Sequence, residues 1–153
     1  IDWGDYPFVT SSHCTVGSAL LNGVPPKCIR DTWGVAKIYE TYVGAKDFEG
    51  QDEIFDLIRT LGEEFGSTTG RPRQINWLDF DMLKMASRIN GVNKIVFNKM
   101  DILEEVDSWC LFNGPNLYEF KNRDDMETWL TGKLHMEVSK DIEIMFSGNK
   151  EHI

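Results

Sequence analysis

The sequence predicts an α/β fold, and three observations carry that expectation. Two stretches of helical periodicity, 51–65 and 77–90, are each followed by a glycine, Gly66 and Gly91. A short apolar run, Lys94-Ile95-Val96-Phe97, comes after the second and has turn signals on both sides, the pattern of a buried strand. Helices alternating with such runs are the signature of α/β architecture.

Taken in order, residues 4–17 read as a loop, because glycine, proline and a hydroxyl-rich cluster offer the backbone local partners in place of a ladder. A short helix over 16–21 is ended by Asn22-Gly23 and Pro25-Pro26. Residues 32–44 carry β-branched and aromatic side chains in partial alternation and predict one strand. In 51–65, Ile54, Leu57, Ile58, Leu61 and Phe65 fall on one stripe, with acids in the first turn. In 77–90, Leu78, Met82, Met85, Ala86 and Ile89 are expected to face inward, with Asp79 and Asp81 on the polar face. A short helix near 124–131 starts at Asp124-Asp125, and a last strand lies near 142–146. Trp33, Trp77, Trp109 and Trp129 sit in these stretches and read as core. Without repeats or low-complexity tracts, residues 1–153 read as one packed unit.

Composition narrows the function. The chain has 153 residues, 41% hydrophobic and 27% charged, and its 16 Lys+Arg against 25 Asp+Glu give a formal charge of −9. So acidic a chain is a poor sequence-blind binder of nucleic acid, which needs a basic surface to replace phosphate counterions. A small anion held by a few local arginines stays compatible with it. No apolar run approaches the roughly 20 residues of a membrane span. Cys14, Cys28 and Cys110 are odd in number and widely spaced, which predicts reduced thiols and a cytoplasmic protein. His13, His135 and His152 have no metal-ligand spacing. The opening Ile1-Asp2-Trp3-Gly4 reads as if it continued a longer chain.

Three motifs could carry chemistry. Asn98-Lys99-Met100-Asp101 stands at the C-terminal end of the strand at 94–97, where open α/β sheets bind ligands. One carboxylate there can accept two parallel hydrogen bonds from guanine, N1–H and the exocyclic amine, a donor pair that adenine lacks. The stem of Lys99 can lie over a base. The other reading is a polar turn with Asp101 capping the next helix. In Gly66-Ser67-Thr68-Thr69-Gly70-Arg71-Pro72-Arg73, glycines bracket hydroxyls and free N–H groups, and the arginines bring forks that match carboxylate or phosphate. Its bland counterpart is a loop whose arginines pair with surface acids at little energetic gain. Tyr6-Pro7-Phe8-Val9-Thr10-Ser11-Ser12 is weaker, since hydroxyl clusters commonly serve turns. No GxxxxGK[ST] phosphate loop occurs in the sequence.

Together and in this order, YPFVTSS with Thr15, GSTTGRPR with NWLDF, NKMDIL and the terminal FSG resemble the C-terminal half of adenylosuccinate synthetase. The resemblance implies part of a single large P-loop NTPase-like domain around a mostly parallel sheet. It implies a GTP-dependent ligase joining IMP and L-aspartate to adenylosuccinate, with Mg²⁺ whose ligands, like the catalytic residues, are expected upstream. This segment alone is therefore expected not to be a competent catalyst. Carried over by position, Thr10, Val43 and Arg71 would meet IMP. Ser67, Thr68, Thr69, Gly70, Arg71, Pro72 and Arg73 would form the loop closing on aspartate, with Arg73 near GTP. Lys99, Met100 and Asp101 would read guanine, and Phe146, Ser147 and Gly148 would wall that pocket. Many family members are homodimers, and neither nucleic acid nor membrane is an implied partner.

Departures from the family pattern mark a divergent, phage-like member: Tyr42-Val43-Gly44 for Arg-Val-Gly, Phe48-Glu49-Gly50 in place of a Phe-Pro-Thr-Glu run, and 146–151 for Ser-Thr-Gly-Pro-Asp-Arg. Two further readings stand beside the ligase. One is a phage-type 2-aminoadenylosuccinate synthetase acting on dGMP. The other is a guanine-nucleotide-binding module without ligation, for which the GSTTGRPR loop would have no use.

Overall fold

In the computed structural model, which describes residues 4, 6–9 and 13–147, Ile38 divides the stretch expected as one strand into β1 (Trp33–Lys37) and β2 (Tyr39–Tyr42). Ile38 and Tyr39 are consecutive and both buried, so the two-residue alternation slips there. The Ile38 N–H donates to the Asn98 carbonyl at 3.1 Å, and the chain passes from one sheet into another.

The first sheet is parallel throughout, in the order β1, β4 (Lys94–Asn98), β7 (Glu143–Phe146). The run expected at 94–97 is thus its central strand, with Ile95 opposite Gly34 and Ile144, and Phe97 opposite Ala36 and Phe146. The second sheet runs β2, β3 (Gln74–Asp79), β5 (Trp109–Asn113), β6 (Asn116–Phe120); β3 and β5 are parallel, and the outer pairs are antiparallel. Parallel pairs therefore predominate, and helices α1 (Gly17–Leu21), α2 (Ile54–Leu61), α3 (Phe80–Asn90), α4 (Met100–Val106) and α5 (Arg123–Glu137) flank the strands. This is the α/β class expected.

Several element boundaries differ from expectation for identifiable reasons. Residues 77–79 end a strand: Ile75, Trp77 and Leu78 are buried in β3, and the helix begins only at Phe80. Asp79, expected on the polar face of a helix, is its N-cap and accepts from the Asp81 and Met82 amides at 2.9 and 3.2 Å. Phe80 and Ser87 are the buried residues of α3, whereas Met82 and Ala86 are exposed. Gly91, at φ 58°, ends α3 in the left-handed conformation that glycine adopts without steric cost. In α2, Phe55 and Ile58 are buried, while Leu57 and Phe65 are exposed and Phe65 lies beyond the helix. Trp33 is exposed rather than core, because β1 is an edge strand. The strands β3, β5 and β6 carry no counterpart in the expectations above, α4 appears there only as the helix after Asp101, and α5 is longer than its predicted 124–131.

The segment where β4 leads into α4 is deeply buried. Ile95, Phe97, Met100, Ile102 and Leu103 are all buried, each contributing about 1.5–3 kcal/mol by removal from water. The turn between these two elements is accordingly anchored on both sides. Replacing the α3 cap, Asp79→Ala, should lower stability by about 0.5–2 kcal/mol. Urea unfolding reads this directly, and an unchanged midpoint would contradict the capping role.

Candidate nucleotide-binding site

The turn that follows β4 is built by backbone and burial together. Lys99 takes left-handed angles (φ 64°, ψ 23°), reversing the chain so that α4 can start at Met100, whose side chain is buried beneath. The Lys99 ammonium donates to the Gly62 carbonyl at 2.9 Å, tying the turn to the end of α2. Asp101 sits inside α4 and does not cap it: the N-cap is Lys99, and no side-chain cap bond forms. Instead Asn98 Oδ1 and Asp101 Oδ1 are buried acceptors with no partner among the described residues. Buried polar atoms are nearly always paired, so two orphaned oxygens in one turn fit a missing donor pair.

Phe146 stacks on Phe97 with ring centroids 5.2 Å apart, and the Ser147 N–H donates to the Phe97 carbonyl at 2.8 Å. Both residues therefore stand beside the end of β4. Gly148 and Thr10 lie outside the described residues.

The arginine loop closes on itself. Phe65 bridges Pro72 in antiparallel fashion, Gly66 N–H donates to the Arg71 carbonyl at 2.8 Å, and Gly70 N–H donates to Gly66 at 2.8 Å. Ser67, Thr68, Thr69, Gly70, Arg71 and Pro72 are exposed on it. The Arg71 guanidinium has no ion-pair partner among the described residues. Arg73 turns back to the base of the loop. Its N–H donates to the Glu64 carbonyl at 3.0 Å, and its Nη1 to Glu64 Oε2 at 2.9 Å.

Glu64 is the feature that motif reading misses. Only 2% exposed, it accepts from Lys37 Nζ at 2.7 Å on both oxygens, from the Tyr39 hydroxyl at 2.9 Å and from Arg73. Burial pushes its carboxyl upward, but donation by Lys37 and Tyr39 and the Lys37 and Arg73 charges override that and hold it below the ordinary carboxylate value. Burial, then the neighbouring Glu64 charge, pushes the Tyr39 phenol well above its usual range, so Tyr39 remains the donor. Gly62 leaves room for this group: a Cβ there would meet the Tyr39 hydroxyl at 2.5 Å. The available sequence signal is Lys37, a lone cation within the otherwise apolar run Gly34-Val35-Ala36-Lys37-Ile38-Tyr39.

Val43 lies elsewhere, in a cleft of about 610 Å³ where Pro7, Phe8 and Val9 meet Thr41, Tyr42 and Gly44. The first motif and the Tyr42-Val43-Gly44 stretch are thus brought together. Lys37 links this cleft to Glu64, because its ammonium also donates to Thr41 Oγ1 at 3.2 Å. A larger groove of about 780 Å³, lined by Cys14, Trp33 and Ser87 among others, includes none of the predicted site residues. Among the described residues no three His, Cys, Asp or Glu side chains converge as metal ligands, so they do not fit Mg²⁺.

A parallel sheet whose central strand runs into an anchored polar turn, beside a closed arginine loop, places the chain among α/β proteins of the P-loop NTPase-like kind. A family model for adenylosuccinate synthetase matches residues 1–125. Adenylosuccinate synthetase from Koribacter versatilis (strain Ellin345) is 47% identical over 110 residues, which are 70% of this chain and 25% of the relative. That from Monosiga brevicollis is 43% identical over 111 residues, 71% of this chain and 26% of the relative. The solved structure of fully ligated adenylosuccinate synthetase from Plasmodium falciparum superposes with a TM-score of 0.72 at 27% identity, covering 95% of this chain and 43% of that one. The chain belongs to the adenylosuccinate synthetase family, and it matches about a quarter of the length of the two relatives from Koribacter and Monosiga. No helix among the described residues is long and apolar enough to cross a membrane.

The Glu64 group makes stability depend on pH with a definite sign. Its folded pKa lies below the unfolded value of 4.5, so the stabilisation is complete above that value and lost as pH falls through the folded one. At neutral pH, Glu64→Gln should cost about 3 kcal/mol, the lower end for breaking a buried pair, since Lys37 and Arg73 are partly open to water. Urea unfolding curves of the two chains should converge as the pH falls below 4.5 and through the lowered folded value. A gap that persisted undiminished in acid would contradict the assignment.

Proposed function

We propose that this chain supplies the guanine pocket and the aspartate loop of a GTP-dependent ligase that joins IMP and L-aspartate to form adenylosuccinate, GDP and phosphate. The observation that carries the reading is the buried Asp101 carboxylate oxygen, without a partner among the described residues, in the anchored turn after β4. Guanine offers the pair of donors that such an acceptor lacks, and adenine does not. Lys99 is held at its tip by the Gly62 carbonyl, next in sequence to Met100 and Asp101, and Phe146 and Ser147 stand beside the end of β4. In this reading Phe146, Ser147 and Gly148 would wall the pocket.

In the proposed reaction the γ-phosphoryl group of GTP passes to O6 of IMP. The aspartate amine then attacks C6 and expels phosphate, losing a proton. Both steps depend on positioning and on neutralising negative charge. Arg71 and Arg73 are the cations this chain brings, Arg71 toward IMP and aspartate, Arg73 toward aspartate and GTP. Thr10 and Val43 would hold the IMP phosphate and ribose. Mg²⁺ would be held by residues outside this segment, and no role here is routed through it. The proposed setting is the reducing cytoplasm, consistent with the thiols of Cys28 and Cys110, which form no disulfide among the described residues, and a homodimer is the proposed assembly. The exposed Ser67–Arg71 loop, whose guanidinium has no ion-pair partner among the described residues, favours ligation over a module that only binds a guanine nucleotide.

Asp101→Asn should weaken GTP binding by about 1.5–3 kcal/mol, the worth of a hydrogen bond to a charged group, and leave ATP binding little changed. Calorimetric titration of both nucleotides measures this. Preserved discrimination between them in the variant would overturn the role of Asp101.

A further inference from the structure

The Glu64 carboxylate has about four acceptor positions, and four donations fill them: two from Lys37, one from Tyr39 and one from Arg73. A saturated, buried carboxylate is poorly placed to act as a base or to meet a ligand itself. Arg73 commits Nη1 to this contact, and no other bond of its guanidinium occurs among the described residues, so the rest of the fork is open to a ligand. The backbone repeats the link, since Arg73 N–H donates to the Glu64 carbonyl and thereby closes the base of the loop at 66–71. Arg59 adds a second brace, its Nε donating to the Arg73 carbonyl at 2.9 Å. With Lys37 and Arg73 positive, Glu64 negative and Tyr39 neutral, the group keeps one net positive charge beside the loop.

We propose that Glu64 is the positioning residue for Arg73: it spends its whole acceptor capacity on holding one edge of the guanidinium at the loop base, so that the other edge faces an anionic ligand. The proposal rests on the reading above, in which Arg73 meets the nucleotide. It makes a prediction of opposite sign to simple electrostatics. Removing a negative charge near an anion should tighten binding by Coulomb attraction alone. Losing the brace should weaken binding, because Lys37 and Arg73 then repel each other across a neutral amide and Arg73 leaves its place.

The test is a double-mutant cycle on GTP affinity with the chain bearing Glu64→Gln, Arg73→Leu and both, each checked for folding by circular dichroism. Glu64→Gln should weaken GTP binding about tenfold in the wild-type background and less than about twofold once Arg73 is Leu. Tighter binding in Glu64→Gln, or equal losses in both backgrounds, would overturn the proposal, the second by making Glu64 a general structural residue. Should Glu64→Gln fail to fold, Tyr39→Phe keeps the ring and removes one donor, and the same signs apply with smaller amplitude. If the wild-type chain binds no GTP, the functional reading fails. Hydrogen exchange then tests the brace alone: the Gly66, Gly70 and Arg73 amides should exchange about tenfold faster in the variant while α5 is unchanged. Unchanged loop exchange would overturn it.

Discussion

The pairing of β4 with β1 on one side and β7 on the other determines where remote stretches of this sequence meet. Phe97 stands opposite Ala36 and Phe146 in register, and its carbonyl accepts from Ser147, so Phe146 and Ser147 are carried to the end of the strand that leads into NKMD. The Asn98 carbonyl accepts from Ile38, which makes the same point in space the place where the chain crosses between sheets. A five-residue strand that buries Ile95 and Phe97 on one face thus sets the position of the turn at 98–101, of Phe146 and Ser147, and of the entry to β2.

From that crossing point the electrostatics follow. β1 ends on Lys37 and β2 begins on Tyr39, and both side chains converge on Glu64, which the end of α2 brings in from the other side. An ionised carboxylate so buried is tolerable only when its lone pairs are met, and its partners come from both sides of the sheet crossing, Lys37 and Tyr39, and from the arginine loop, Arg73. The arrangement gives the arginine loop a rigid foot and an exposed tip. Lys99, reaching Gly62 two residues before Glu64, joins the turn after β4 to the same foot. The two motifs that stand about thirty residues apart in sequence are therefore mechanically one unit.

Much of this was legible from sequence for local reasons. The apolar run 94–97, the polar turn after it and the glycine-bounded arginine loop declare themselves through composition and punctuation. Other elements were hidden by competing signals. Trp77 and Leu78 fit a helical stripe as well as a strand, and Asp79 ends the strand and caps the helix with no glycine or proline between them. In β5, Trp109, Cys110 and Leu111 are all buried, so the alternation that betrays a strand is missing. Glu64 was illegible for a deeper reason. Glu63 and Glu64 are chemically identical neighbours, and only the sheet crossing at Ile38, a tertiary feature, selects which one is buried.

The claim at the centre of this account is that Asp101 reads two donors on one purine edge. Comparing GTP with inosine triphosphate isolates it, because the two nucleotides differ only in the exocyclic amine. Calorimetric titration of the chain with each should show GTP binding at least about tenfold tighter, the worth of one hydrogen bond to a charged acceptor. Equal affinities would contradict the account, since a carboxylate engaged through both oxygens cannot be indifferent to losing one of its two donors.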